Sequence, residues 1–162
     1  MAFTRLYEMF SGKTLRYLHG LIGDDAPDVH QELWLSVFKN IKRIVNPGAF
    51  RTWLFRTTRH RAVDFLRGAK RERELIDDVG IESVDVGDEA DMGRFETVDE
   101  SDLEMALTSM PPPQREVLLL RYRDELSYIE IALVVGCPIG TVRTRLYHAK
   151  RKMQELLKRG EL

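Results

Sequence analysis

The chain has 162 residues, with 25 basic and 26 acidic side chains, one cysteine and 43% hydrophobic residues, enough for one compact domain or two small ones. A single cysteine excludes an intramolecular disulfide, and no apolar stretch approaches the about 18 residues of a membrane span. No signal-peptide pattern follows Met1, so we expect a cytoplasmic protein without membrane insertion.

The net charge of -1 is the sum of three blocks of unlike charge. Counting Lys and Arg against Asp and Glu, residues 1–71 carry +7, residues 72–104 carry -12 and residues 105–162 carry +4. Acidic blocks with few aromatic residues repel themselves and stay extended. Because Phe95 is the only aromatic residue between Asp77 and Ser101, this block predicts an acidic flexible linker, either a plain tether or a functional acidic segment.

Helical periodicity dominates the N-terminal block. Apolar residues from Phe3 to Ile22 recur at helical spacing and predict one helix, with a candidate break at Ser11-Gly12. A second helix is expected to start at Gly23-Asp24-Asp25. Its apolar arc consists of Leu33, Trp34, Val37, Phe38, Ile41, Ile44 and Val45. Its polar face consists of Asp28, Gln31, Glu32, Leu35 and Lys39. Leu35 on this face is either an ordinary exposed leucine or an anchor for a partner helix.

A third helix is predicted from about Phe50 to about Glu74, after a turn at Asn46-Pro47-Gly48. One arc of this helix is mainly apolar: Leu54, Phe55, Thr58, Ala62, Phe65 and Leu66. The opposite arc places an indole and an imidazole among arginines: Trp53, Arg56, Arg59, His60 and Arg67. Such a surface is typical of proteins that track phosphates and stack an unpaired base. In the alternative interpretation, Trp53 wedges against a neighbouring helix.

The C-terminal block predicts a helix-turn-helix. Helices are expected over 103–110 and 114–122, before a Ser127/Glu130 capping box starts another. Gly136 predicts the end of that helix, and a further helix begins near Thr141. Its apolar face consists of Val142, Leu146, Ala149 and Met153. Its outer face consists of Arg143, Thr144, Tyr147, His148 and Arg151. Arginine suits guanine, and the helix N-terminal amides near Thr141 favour phosphate oxygens. An ordinary helical hairpin with a charged exterior is the plainer alternative.

These residues resemble a known family. Residues 111–157, above all LSYIEIA at 126–132 and GTVRTRL at 140–146, are similar to region 4 of bacterial RNA polymerase sigma factors of the extracytoplasmic-function (ECF) group. DAPDVHQE at 25–32 and FRTWLFR at 50–56 are similar to region 2 of that group. In that group an acidic residue, Asn and Arg are common at the positions of Pro27, His60 and His148. These departures bear on which promoter sequence is recognised, not on the class of protein.

The resemblance implies an all-α protein with a three-helix-type region 2 at 1–75, an acidic linker at 76–101 and a helix-turn-helix region 4 at 102–162. Such a protein binds core RNA polymerase and promoter DNA without catalysing a reaction, and an anti-sigma factor is a further expected partner. The implied polymerase-binding residues are Asp28, Gln31, Glu32 and Leu35. The implied minus-ten residues, which capture a flipped base and help melt the duplex, are Asn46, Phe50, Trp53, Arg56, His60 and Arg67. The implied minus-thirty-five residues are Thr141, Arg143, Thr144, Tyr147, His148 and Arg151.

Two other classes of protein make different demands on the sequence. A helix-turn-helix regulator would bind operator DNA without polymerase and use the N-terminal block for dimerisation or sensing. An enzyme with Asp64 or Glu32 as acid or base lacks a paired nucleophile, a metal ligand set and a glycine-rich phosphate loop. No cofactor or metal site is expected, since Cys137 has no CxxC or HxxxH partner and suits a small buried apolar position.

Overall fold

The computed structural model describes residues 2–44, 46–70 and 100–160, and the regular secondary structure within these ranges is helical. The chain divides into two units, one built mainly on the first three α-helices and one built mainly on the last four. The predicted all-α class with two helical units is therefore confirmed. Most of the predicted linker lies outside the described residues, and its last two positions, Glu100 and Ser101, are helical.

The α-helices of the N-terminal unit are α1 (Ala2–Ile22), α2 (Ala26–Asn40) and α3 (Phe50–Lys70). Short 3-10 turns separate them at Gly23–Asp25, Ile41–Arg43 and Pro47–Ala49. The α-helices of the C-terminal unit are α4 (Glu100–Thr108), α5 (Pro112–Tyr122), α6 (Tyr128–Val135) and α7 (Ile139–Gly160).

Helix α1 runs through Gly12 without a break, so the candidate interruption at Ser11-Gly12 is wrong. A glycine inside a helix costs about 1 kcal/mol relative to alanine. Packing of apolar side chains on both sides of Gly12 offsets that cost, because Phe10 and Leu18 contact the same core. Thr14 also donates from Oγ1 to the carbonyl oxygen of Phe10 at 2.9 Å.

Helix α2 ends earlier than its apolar arc. The arc extends to Ile44 and to Val45, which lies outside the described residues, but the helix ends at Asn40. Asn46 is extended (φ -112°, ψ 108°), as expected for a residue that precedes a proline. Ile41 and Ile44 therefore pack against the core from outside the α-helix.

Phe38 does not belong to the buried arc, because 61% of it is exposed. Its ring lies edge-on to Phe3, in the first turn of α1, with the ring centroids 5.1 Å apart. The core itself contains Leu18, Leu33 and Val37, all fully buried. Burying such side chains contributes about 1.5–3 kcal/mol each, and this contribution holds the three helices together.

The helix-turn-helix forms as predicted. The Ser127 amide donates to Glu130 Oε1, and the Glu130 amide donates to Ser127 Oγ, both at 3.1 Å. Helix α6 ends before Gly136, which takes the left-handed conformation (φ 72°) that glycine tolerates. Helix α7 then begins at Ile139, with the Thr141 amide bonded to the carbonyl oxygen of Pro138 at 3.0 Å.

The apolar face of α7 forms the centre of the C-terminal core. Its four members are buried to 1% exposure or less: Val142, Leu146, Ala149 and Met153. This face packs against α4 and α5. Helix α5 begins at Pro112 rather than Gln114, because prolines fit the first turn, where no intrahelical N–H bond is lost. Cys137 is half-buried rather than fully buried.

Candidate nucleic-acid interface

The outer face of α7 carries an exposed stripe at four-residue spacing. Arg143 and Arg151 are exposed, and Tyr147 lies between them, half-buried. Arg151 Nη1 donates to Tyr147 Oη at 3.3 Å, and its guanidinium carbon lies 5.8 Å from the centroid of the tyrosine ring. The stripe thus presents two cations and a phenol on one face of a well-anchored helix, as a helix that enters the major groove requires.

The other residues predicted on this face are more covered. Thr141 and Thr144 are only 8% and 6% exposed, and Thr144 Oγ1 donates back to the carbonyl oxygen of Gly140 at 3.0 Å. Their side chains therefore have little surface with which to read bases. Thr141 still lies in the first turn of α7, where backbone amides favour phosphate.

His148 is turned partly inward. Its Nε2 atom is buried and has no hydrogen-bond partner among the described residues, and its ring meets the Tyr147 ring at 5.5 Å and 71°. This atom cannot reach a DNA base in the conformation observed. The ring instead supports Tyr147 from the side.

Helix α3 presents a second basic stripe, on the N-terminal unit. Arg56, His60 and Arg67 are exposed on one helical face. Trp53, on the same face, is half-buried and packs against the core, with its ring 6.0 Å from that of Phe50. The wedge interpretation of Trp53 and the stacking interpretation are thus compatible, since part of the indole stays accessible.

The turn before α3 is ordered by its own side chain. Asn46 is exposed, and its Oδ1 accepts a hydrogen bond from the Gly48 amide at 3.0 Å. Its amide nitrogen remains at the surface as a donor. Phe50, in contrast, is only 6% exposed and belongs to the core. Little of its side chain is therefore accessible for contact with a base.

The polar face of α2 is exposed as predicted from its spacing. Asp28, Gln31 and Glu32 face solvent, and Leu35 is 58% exposed. Beside this face, an open cleft of about 580 Å³ lies between α1 and α2. Gln31 and Leu35 contribute to its lining, together with the aromatic residues Phe3, Tyr7, Trp34 and Phe38. The cleft was not predicted from the sequence, although the apolar Leu35 within the polar face of α2 was a sign of it.

A buried polar cluster joins α1 to α2 beneath this face. His30 Nε2 lies 3.0 Å from both Thr14 Oγ1 and the carbonyl oxygen of Ser11. Trp34 Nε1 donates either to His30 Nε2 at 3.0 Å or to Thr14 Oγ1 at 3.2 Å. Burial lowers the pKa of His30 below its usual value of 6.5, and the bond to Ser11 opposes part of this change. His30 lies at helical spacing from Ala26, Leu33 and Val37, and this spacing indicates that it faces the core.

Within residues 2–44, 46–70 and 100–160, no group of three or more His, Cys, Asp or Glu side chains could hold a metal ion. None of the helices described combines the length and the apolar character that crossing a membrane requires.

Comparisons with known proteins identify two family regions in the chain. Residues 6–72 match the family model for sigma-70 region 2, and residues 100–153 match that for sigma-70 region 4. The chain is 32% identical over 139 residues to RNA polymerase sigma factor SigV of Bacillus subtilis, covering 86% of this chain and 80% of SigV. It is 30% identical to the ECF sigma-E factor of Escherichia coli K12 over 152 residues, 83% of this chain and 77% of that factor.

A solved structure supports the same assignment over most of the chain. The sigma factor RpoE of Bartonella quintana, solved in complex with the anti-sigma factor NepR, superposes with a TM-score of 0.72 at 26% identity. The match covers 97% of each chain.

A helix-turn-helix with a basic outer face, preceded by a second helical unit, defines a DNA-binding protein of transcription. The two family matches and the relatives narrow this class: the chain belongs to the bacterial RNA polymerase sigma factors of the ECF group. It binds core RNA polymerase and directs initiation at specific promoters. A regulator that acts without polymerase is not favoured, because it would not account for region 2 over residues 6–72.

Proposed function

We propose that the two helical units of this sigma factor divide promoter recognition between them. The N-terminal unit, within residues 1–75, docks on core polymerase and opens the minus-ten element. The C-terminal unit, within 102–162, reads the minus-thirty-five element, and the acidic residues 76–101 connect them. The observation that carries this proposal is the stripe of Arg143, Tyr147 and Arg151, which faces outward while the opposite side of α7 is buried.

Polymerase docks, in this proposal, on the exposed face of α2. Asp28 and Glu32 offer carboxylates, Gln31 an amide, and Leu35 an apolar side chain that is largely in solvent. An apolar anchor with a polar rim is the usual composition of a protein-binding hot spot. Leu35 therefore contributes most of the affinity, and the surrounding polar groups set the orientation.

The minus-ten element is read by the α3 stripe and the turn before it. Asn46, Arg56, His60 and Arg67 are accessible, and Trp53 offers part of its indole. The arginines hold phosphates while the indole stacks on a base that has left the duplex. Phe50 takes no direct part and instead supports Trp53 from the core.

An anti-sigma factor is a further partner in this proposal. The relevant precedent is the Bartonella quintana RpoE, which is described in complex with NepR. The chain works in the cytoplasm, where core polymerase and promoter DNA are found, and catalyses no reaction itself.

Transcription in vitro tests the proposal. Core polymerase is supplied with a promoter library, with and without this chain, and the start sites are sequenced. Initiation that depends on the chain, from promoters sharing two spaced elements, is expected. A matched pair of variants assigns the docking face: Leu35→Asp should abolish initiation by preventing assembly with core polymerase, whereas Met9→Asp, at an apolar position of α1 that is 63% exposed, should not. Equal activity of both variants would contradict the assignment of this face.

A further inference from the structure

The outer face of α7 contains a pair of side chains, Tyr147 and Arg151, that contact each other. Arg151 Nη1 donates to the phenol oxygen of Tyr147 at 3.3 Å, and the guanidinium carbon lies 5.8 Å from the ring centroid. On another side, the His148 ring meets the Tyr147 ring at 5.5 Å and 71°. Tyr147 is therefore held by contacts with two neighbours on its own helix.

The geometry of an α-helix explains why this pair forms. Helical side chains lean toward the N-terminus, so a side chain at i+4 reaches back over the residue at i. Arg151 thus covers Tyr147, whose side chain has few rotatable bonds to fix. Holding the phenol in one rotamer lowers the entropy that must be lost when it meets a ligand.

The hydrogen bond also determines what Tyr147 can offer. A phenol has one O–H donor and two lone pairs, whereas a guanidinium only donates. Arg151 must therefore occupy a lone pair, and the Tyr147 proton is left to point outward as a donor. A cationic donor on the same oxygen polarises the O–H bond, and the effect grows when water is excluded.

We propose that Tyr147 determines specificity by donating its hydroxyl proton to a hydrogen-bond acceptor on a base edge of the minus-thirty-five element. Arg151 is a positioning residue that acts through Tyr147 and contacts no base itself. The inference rests on the proposed function of the C-terminal unit as the minus-thirty-five reader. Guanine O6 and N7, adenine N7 and thymine O4 are acceptors of this kind in the major groove, and a phosphate oxygen is the other acceptor within the same chemistry.

The experiment uses the full chain assembled with core polymerase. Promoters keep one minus-ten element, and each minus-thirty-five position is varied through all four bases. Initiation rates are measured for the wild type, Tyr147→Phe, Arg151→Ala and the double variant. Lys158→Ala is the matched control, because Lys158 is an exposed cation two turns further along α7.

Tyr147→Phe is expected to reduce base discrimination at one position by about three- to tenfold, the effect of one hydrogen bond. Arg151→Ala should reduce it at the same position by a smaller factor, and should change nothing further in the Tyr147→Phe background. Lys158→Ala should leave discrimination unchanged.

Other outcomes overturn the inference. An equal loss at all sequences in Tyr147→Phe would identify a phosphate as the acceptor and remove the specificity role. Additive effects of the two substitutions, with a salt slope of DNA binding reduced by about 0.9 in Arg151→Ala, would show that Arg151 holds a phosphate by itself. If the wild type has a minus-thirty-five preference that the pair variants retain, only this inference fails; if the wild type initiates nowhere, the proposed function fails with it.

Discussion

At the scale of the residue, His30 shows how burial controls protonation. Its Nε2 atom either donates to the carbonyl oxygen of Ser11 or accepts from Trp34 Nε1, and both arrangements suit a neutral ring. Protonation makes Nε2 a permanent donor, which opposes the Trp34 N–H. The charged ring must also remain in a position that is only 8% exposed. Protonation of His30 therefore weakens the packing of α1 against α2.

The stability of the protein should therefore depend on pH through His30. Because its pKa in the folded state is below 6.5, the unfolded chain binds more protons in the window between the two values. The stability from neutral His30 is complete above pH 6.5 and is lost as the pH falls toward the folded-state value. Urea unfolding from pH 5 to pH 8 measures this slope.

Two substitutions distinguish His30 from the other imidazoles. His30→Gln should flatten the slope, while His60→Gln, at an exposed position on α3, should leave it unchanged. An unaltered slope in His30→Gln would mean that other groups cause the acid sensitivity.

At the scale of the element, the start of α6 depends on two reciprocal hydrogen bonds. Ser127→Ala removes the Oγ acceptor of the Glu130 amide, which leaves that amide without its cap. We expect a loss of about 0.5–2 kcal/mol in the free energy of unfolding. Denaturant unfolding followed by circular dichroism measures it. Ser109→Ala is the control, because its exposed hydroxyl bonds only to the Met105 carbonyl at the end of α4, and it should cost much less.

Elements that are determined locally were predictable from the sequence. The capping box, the stop at Gly136 and the buried stripe of α7 depend on residues within a few turns of one another, so spacing alone located them. The exposure of Phe38, in contrast, depends on its packing against Phe3 of another helix. No periodicity within α2 contains that information.

In the candidate interface, too, helical spacing predicted some features and side-chain conformation determined the others. Helical spacing identified the outward stripe of α7 and the exposed face of α2. It could not reveal that the Thr144 hydroxyl bonds to its own backbone or that Nε2 of His148 is covered, because both depend on side-chain rotamers. The burial of Phe50 was also not predictable from helical spacing, because it depends on the core that lies beneath the first turn of α3.

At the scale of the whole molecule, the distribution of charge predicts how the free chain meets DNA. Residues 72–104 carry a net charge of -12 between blocks of +7 and +4. Amide substitution of Asp88, Glu89 and Asp91 should raise the affinity of the free chain for duplex promoter DNA at low salt, because less negative charge then opposes the phosphates. The gain should fade as the Debye length falls to about 8 Å at physiological ionic strength.

Binding titrations across a salt series measure this effect. The charge-matched control replaces Glu8, Asp24 and Asp25, which are exposed acids of the N-terminal unit. If the control raises affinity equally, net charge alone is responsible, and the acidic block has no particular influence on DNA binding.

Leu35 and Phe38 are 58% and 61% exposed, one on the proposed docking face and both on the cleft beside it. Apolar side chains that remain in water are where self-association begins and what quality-control proteins recognise. We therefore expect free chain made in excess of its binding partners to self-associate or to be degraded more readily than bound chain.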